Sequence, residues 1–350
     1  MIAALLLAFG LSAQAQTPQT VVTRVMSRAE KLIAAQKGKD AREIRDLDRE
    51  VESLSVELKP LGWKAVPALS AAVQDLKRPA KVRLFAVSFL ALTRDPAAFP
   101  PLEDILLDKD QDPTVRSLAA QSLQSQGAPE ALVSKTLCSA LTEADLPQEV
   151  LIETLHALAR LGCPDPVALT RIARSFCPRP EAKELALATA AIATLGRSRG
   201  TDSGKAILAL VAYFPALGAA RAAAINALDA RRADIATWLT PQALPVVVEA
   251  LRSESARWDT MIPLIRVASA IGPDAGDSLL RLTKHPDAEV LAASAEALAV
   301  LKRLEALPAL DAAIAGAMND PRFSPQEGRP DPSVLLARLE KAVAALRRAR

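Results

Sequence analysis

The chain has 350 residues, half of them hydrophobic, with 43 Lys and Arg against 40 Asp and Glu and a formal net charge of +3. That apolar share over that length is enough to bury a large interior. The weak net charge with interspersed signs gives no field for a polyanionic partner, and 3% aromatics offers little for stacking on bases, so nucleic-acid binding is a poor reading.

Residues 1–15 have the layout of a cleaved signal peptide. Ile2 to Leu11 is almost entirely apolar, and Ser12-Ala13-Gln14-Ala15 puts small residues at the two positions a signal peptidase reads. Polar Gln16-Thr17-Pro18 follows, so cleavage is expected after Ala15. The run is too short to span a bilayer. No Lys or Arg follows Met1, which departs from the usual layout, and no cysteine follows Ala15 to mark a lipoprotein. The mature chain is then expected in the periplasm or secreted; the alternative is a buried N-terminal helix.

Residues 16–60 read as a helical cap. Asp40-Ala41-Arg42-Glu43-Ile44-Arg45-Asp46-Leu47-Asp48-Arg49-Glu50 alternates charge at helical spacing, and Ile44, Leu47, Val51, Leu54 and Leu58 step by three and four. A polar-faced end keeps a stacked-helix array soluble. A short coiled-coil segment is the other reading.

Residues 61–316 repeat one phrase at a period of about 35 residues. Its clearest copy starts at Asp112-Pro113-Thr114-Val115-Arg116, runs through Ala119, Ala120 and Leu123, and closes at Gly127. Val150, Leu158 and Gly162 repeat Val115, Leu123 and Gly127. Ile192 and Gly196 repeat the last two, Ala220-Arg221 with Leu228 the first two, and Gly272 the last. Val82-Arg83 with Leu90, and Val290 with Leu298, are the outer copies. Each copy predicts two helices. Asp112-Pro113, Asp165-Pro166 and Thr240-Pro241 join a good N-cap to a proline that loses no needed amide. The closing glycines suit a left-handed helix end. Pro129-Glu130 after Gly127 starts a partner helix, and no segment alternates as a strand does.

These residues resemble the HEAT repeat family in its short bacterial form, over about residues 61 to 316. Leu61-Gly62-Trp63-Lys64-Ala65-Val66-Pro67-Ala68-Leu69 resembles a second helix of the family with its internal proline. Glu184, Ala220 and Thr260 depart from the expected valine. The resemblance implies an all-α fold, a right-handed α-solenoid of stacked antiparallel helix pairs. It further implies a polar ladder between adjacent repeats, to which Asp112 and Arg116 belong, with Arg83 and Arg221 matching Arg116.

Residues 317–332 form a linker with Pro321, Pro325, Gly328, Pro330 and Pro332. Residues 333–350 form a last helix, capped by Ser333, with Leu335, Leu336, Leu339, Val343 and Leu346 on one face and Arg347-Arg348-Ala349-Arg350 at its end. Its favoured role is a terminal cap with bases complementing the helix dipole; contact with an anionic membrane is the lesser reading.

Of the three cysteines, Cys138, Cys163 and Cys177, the last two flank one helix, so a Cys163–Cys177 disulfide is plausible; three unpaired thiols used as small apolar residues is an equal alternative. His156 and His285 fall in separate copies, and no metal-ligand motif, nucleophile elbow or phosphate loop is present. The stretch Gly196 to Gly204 reads as a solvated loop, and Asp145, Glu149 and Glu153 as a solvated face. No catalytic residue, metal, cofactor or small-molecule substrate is indicated. The leading function is therefore a non-catalytic scaffold for a protein or peptide partner. Two alternatives come from the resemblance: an enzyme-associated subunit similar to phycobilin lyases, and a nucleic-acid-binding protein similar to HEAT-like DNA glycosylases.

Overall fold

The computed structural model describes residues 17–175, 182–216, 218–238, 240–254, 257–325 and 327–350. The signal segment expected at 1–15 and Cys177 lie outside them. The chain divides into two compact units, Met1–Leu158 and Ala159–Arg350. All regular structure among the described residues is helical.

The first unit holds α1 (Pro18–Ala34), α2 (Ala41–Ser53), α3 (Ser55–Leu58), α4 (Val66–Gln74), α5 (Ala80–Thr93), α6 (Phe99–Leu107), α7 (Pro113–Ser122) and α8 (Glu130–Ala140); α9 (Gln148–Leu161) begins in it. Helix α4 packs on α5 and α6 on α7, and α5 and α7 also lie side by side. Stacked helix pairs of this kind make an α-solenoid. Helix α1 closes the near end against α4 and α5, burying Val22, Val25, Met26 and Ala29. Asp40 caps α2 in a reciprocal box with Glu43.

The second unit continues with α10 (Pro166–Ser175), α11 (Ala182–Arg197), α12 (Thr201–Tyr213), α13 (Ala219–Ala230), α14 (Arg232–Trp238), α15 (Thr240–Ser253), α16 (Trp258–Ile271), α17 (Gly276–Arg281), α18 (Ala288–Val300), α19 (Leu307–Gly316) and α20 (Pro332–Ala349). Pairs form between α10 and α11, α12 and α13, and α15 and α16, while α11, α13, α16, α18 and α20 stack in one row. This unit too is an all-α solenoid.

The repeated phrase is a packing code. Val82, Val115, Val150 and Val290 are fully buried, as are Leu90, Leu123, Leu158, Leu228 and Leu298. Asp112 and Asp165 accept from the amides of Thr114 and Val167 at 2.9 and 2.8 Å and so cap α7 and α10. Gly127 ends its segment at φ +67°, where an L side chain is strained. Thr260, in a valine position, is also fully buried, because its hydroxyl donates to the Arg257 carbonyl at 3.0 Å.

Three expectations need correction. Gly196 does not stop a helix. It lies inside α11, where a Cβ would sit 3.1 Å from the Ala227 Cβ of α13, so it serves close approach of two stacked helices. Pro67 is not internal to a helix: α4 begins at Val66, after a 3-10 turn that reverses at Gly62 (φ +51°). The cap of α20 is Asp331, which accepts from the Ser333 amide at 2.8 Å, with Pro332 in the first turn.

The last helix docks. Leu335, Leu339, Ala342, Val343 and Leu346 are buried as α20 packs on α18 and α19. Arg338 forks onto Glu296 at 2.8 and 2.7 Å, and Arg347 reaches Asp311 at 2.8 Å.

Candidate functional site

The ladder arginines stand at the N-terminal ends of row helices and reach backward and forward at once. Arg116 on α7 is only 2% exposed. Its Nε donates to the Leu106 carbonyl at the end of α6 at 2.9 Å, and its Nη2 donates to Glu143 Oε2 after α8 at 2.7 Å. The Arg116 guanidinium holds the Glu143 carboxyl below the usual carboxylate range, against the burial that pushes it up. Arg221 on α13 repeats the arrangement: Nη1 donates to the Phe214 carbonyl after α12 at 3.4 Å, Nη2 to Ser253 Oγ at 2.8 Å, and Nε lies 3.2 Å from Glu254 Oε1. Arg83 on α5 donates to Gln111, whose amide in turn donates to the Val73 carbonyl at the end of α4 at 3.3 Å.

Arg83 and Arg116 thus tie the end of the preceding helix to the loop after the following one, and Arg221 ties the end of α12 to the end of α15 and the turn after it. Asp112 serves the cap alone; the acid of the Arg116 rung is Glu143. The acceptors Gln111, Glu143 and Glu254 escaped the sequence reading because they lie outside the helices and at no constant distance along the chain from their arginines. A further link also escaped it: Arg266 of α16 forks onto Asp229 of α13 at 3.0 and 2.6 Å.

An apolar pocket of about 450 Å³ opens in the first unit. Buried Leu58, Leu69 and Phe89 line it, with exposed Val56 of α3 and Leu92 of α5 beside them. The Gly62 reversal forms one wall, and Trp63 on the same turn is 57% exposed. Thr93, the polar wall residue of α5, donates its hydroxyl to the Leu90 carbonyl at 2.7 Å, so the wall offers no unmet donor there. Lys59 is the one charged residue of the lining.

A second cavity, of about 280 Å³, lies where the stretch before α20 crosses the N-terminus of α18. Its lining is charged but internally paired. Asp287 caps α18 through Oδ1, accepting from the amides of Glu289 and Val290 at 2.9 and 3.2 Å, and turns Oδ2 to Arg329. Arg329 also donates to Glu289 at 3.2 Å and lies 4.0 Å above the centre of the Trp258 ring. Arg322 forks onto Asp320 at 2.9 and 2.6 Å and donates to the His285 carbonyl at 3.1 Å. That pairing holds the Asp320 carboxyl below its ordinary range. In the second unit, a more open groove of about 840 Å³ between α11 and α13 is lined by small residues such as Ala190, Gly196 and Ala227.

The remaining candidates are dispersed. His156 is exposed on α9, while His285 is half-buried in the charged cavity and accepts from the Asp287 amide through Nδ1 at 3.1 Å. Asp145 lies in the turn before α9 and Glu149 is exposed on the helix. Arg197 at the end of α11 and Arg199 in the loop after it are exposed, while buried Ser198 between them accepts from the Cys163 amide at 2.9 Å. Among the described residues no cluster of His, Cys, Asp or Glu has metal-binding geometry.

Cys138 and Cys163 are both disulfide-bonded. The expected partner of Cys163, Cys177, lies outside the described residues. The bond at Cys138 is one that the sequence reading had not assigned. It stands buried on α8, and Cys163 is buried directly after Gly162.

The architecture is that of a helical repeat protein. Residues 57–124 match the HEAT repeats family, which covers α4 to α7 and the rungs of Arg83 and Arg116. Solved structures similar to the whole chain include an engineered protein at 18% identity, with 92% of each chain covered and a TM-score of 0.48. Another comes from work on a phosphorylation switch in the interaction between cadherin and beta-catenin, at 13% identity, 94% of this chain and 78% of that one, and a TM-score of 0.48. Human deoxyhypusine hydroxylase in complex with glycerol is similar at 15% identity, 96% and 99% coverage and a TM-score of 0.30. None of these likenesses transfers a function. No curated protein sequence matches the chain.

Proposed function

We propose that this protein is a non-catalytic scaffold of the cell envelope that binds a protein or peptide partner through side-chain contact alone. The observation that carries the reading is the apolar pocket of the first unit. Val56 is 71% exposed and Leu92 62%, and large apolar side chains gathered at an open pocket mark interaction sites. Its volume of about 450 Å³ suits the insertion of an aliphatic or aromatic anchor from a partner. All of the pocket's lining except Ser55 and Val56 falls in the segment that matches HEAT repeats, and stacked-helix arrays present extended binding surfaces. In the charged cavity, the acids and arginines engage one another, which favours a structural or recognition role there over acid–base chemistry.

The envelope assignment draws on two supports: the apolar Ile2–Leu11 run with its Ala13-x-Ala15 site, and disulfide-bonded Cys138 and Cys163, since stable disulfides belong to oxidising compartments. N-terminal sequencing of protein purified from envelope extracts is expected to begin at Gln16; a chain retaining Met1 to Ala15 would end that assignment. For the scaffold reading, crosslinking capture from native extracts is expected to recover a reproducible partner with the wild type and to lose it with Leu92→Asp. Identical recovery by both would sink the assignment of the pocket.

A further inference from the structure

We propose that Trp258, Asp287 and Glu289 form a binding slot for an arginine carried on an extended, proline-flanked segment of a partner protein, and that the chain's own Arg329-Pro330 fills this slot until the partner displaces it. The inference extends the scaffold reading to a second site. It does not depend on the apolar pocket of the first unit.

The chemistry of the slot is read from its occupant. The Arg329 guanidinium is met on three sides: by the Trp258 face at 4.0 Å, by Glu289 Oε2 at 3.2 Å, and by Asp287 Oδ2. A planar delocalised cation stacks and forks at once, which an ammonium cannot do. Both carboxylates are largely shielded, at 20% and 15% exposure, so an empty slot would hold two like charges against an indole face. The slot therefore selects a cation and is unfavourable when vacant.

The slot is built independently of its occupant. Asp287 keeps Oδ1 for the α18 cap and gives only Oδ2 to Arg329. Trp258 is the first residue of α16, a helix that buries Met261, Leu264, Ile265 and Val267 on other partners than Arg329. Removing Arg329 takes away none of the cap bonds of α18.

The occupant is an incomplete fit. Between the short turn Pro321–Phe323 and α20, the described strap has no regular element of its own. It is held by buried Phe323 and by the hold of Arg322 on the His285 carbonyl. Beside the seated Arg329 about 280 Å³ stays open, walled by Ser324, Pro330, Pro332 and Leu335. A partner segment with the same Arg-Pro chemistry has room to make contacts the strap does not make. Proline lowers the entropic cost of such binding by fixing the extended form beforehand.

The test uses the full-length chain and a fluorescent peptide of the chain's own residues 327–333, capped at both ends, beside a peptide with citrulline in place of the arginine. Citrulline keeps the shape and removes the charge. Folding of each variant is checked by thermal unfolding. Arg329→Ala is expected to bind the arginine peptide at least about tenfold more tightly than the wild type, and Arg329→Ala/Glu289→Gln about as weakly as the wild type. The citrulline peptide is expected not to bind. Equal binding of both peptides, or no binding to Arg329→Ala up to about 1 mM, overturns the slot. So does an Arg329→Ala chain that no longer folds, because an arginine needed for folding is no displaceable occupant. Either failure leaves the scaffold reading standing, since that reading is decided by capture through Leu92.

Discussion

At the residue scale, the arginine rungs are the strongest single determinants. Arg116 is almost wholly buried and bonds both a helix-end carbonyl and Glu143. Arg116→Ala takes the buried guanidinium from both acceptors, and urea unfolding is expected to show a loss of about 3–5 kcal/mol, whereas Arg116→Met/Glu143→Leu recovers most of it. The same pair gives a pH dependence. The Glu143 carboxyl is depressed in the folded chain, so its contribution is present above the ordinary glutamate pKa of about 4.3 and is lost as pH falls through the depressed value. Glu143→Gln is expected to reduce the fall of stability between about pH 7 and about pH 3. An unchanged slope would remove Glu143 from that account. The arginines were legible because they share a register beside a buried valine or alanine. Their acceptors were not, since Gln111, Glu143 and Glu254 recur at no fixed spacing from their arginines.

At the element scale, Gly196 shows how one residue type serves two physical ends. Gly127 and Gly196 occupy the same place in the repeated phrase, yet only Gly127 has positive φ; Gly196 is helical and lies against Ala227. Helix propensity gains about 1 kcal/mol when glycine becomes alanine, which offsets a shift of a few tenths of an ångström. Gly196→Ala is thus expected near neutral, and Gly196→Val lower by about 1–3 kcal/mol from overpacking, both read as urea midpoints. A Val variant as stable as the wild type would deny the close approach. Helix α20 was legible as an amphipathic element, but its destination was not, because an apolar face does not name its neighbour. Leu339 is fully buried where α20 meets its neighbours, and Leu339→Ala is expected to cost about 2–5 kcal/mol. A cost below about 1 kcal/mol would mean that α20 is loosely held in solution.

At the scale of the whole molecule, the repeated phrase made the fold legible and concealed the sites. Its valines, leucines and aspartates are absorbed by packing and capping. The apolar pocket depends on Val56, Gly62 and Leu92, and the charged cavity on Trp258 and Arg329; none of these belongs to the phrase, and each pocket joins segments that the sequence keeps apart. The disulfide was hidden for the same reason. With Cys138 and Cys163 bonded, thiol titration of the unfolded, unreduced chain is expected to find one reactive thiol, rising to three on reduction. Three before reduction would refute the bond. Reduction is expected to lower stability by about 2–4 kcal/mol.

The rungs also bear on how such a chain lengthens and shortens over evolutionary time. Arg83 and Arg116 stand at equivalent places, each with a carbonyl of the preceding helix behind it, reached directly by Arg116 and through Gln111 by Arg83, and an acceptor in the loop ahead. Excising residues 84–116 would leave Arg83 running into Ser117, with the Val73 carbonyl behind and Glu143 ahead. Recombination between equivalent arginines therefore yields a seam that already carries its own fastening, and copies can be gained or lost without inventing a new junction.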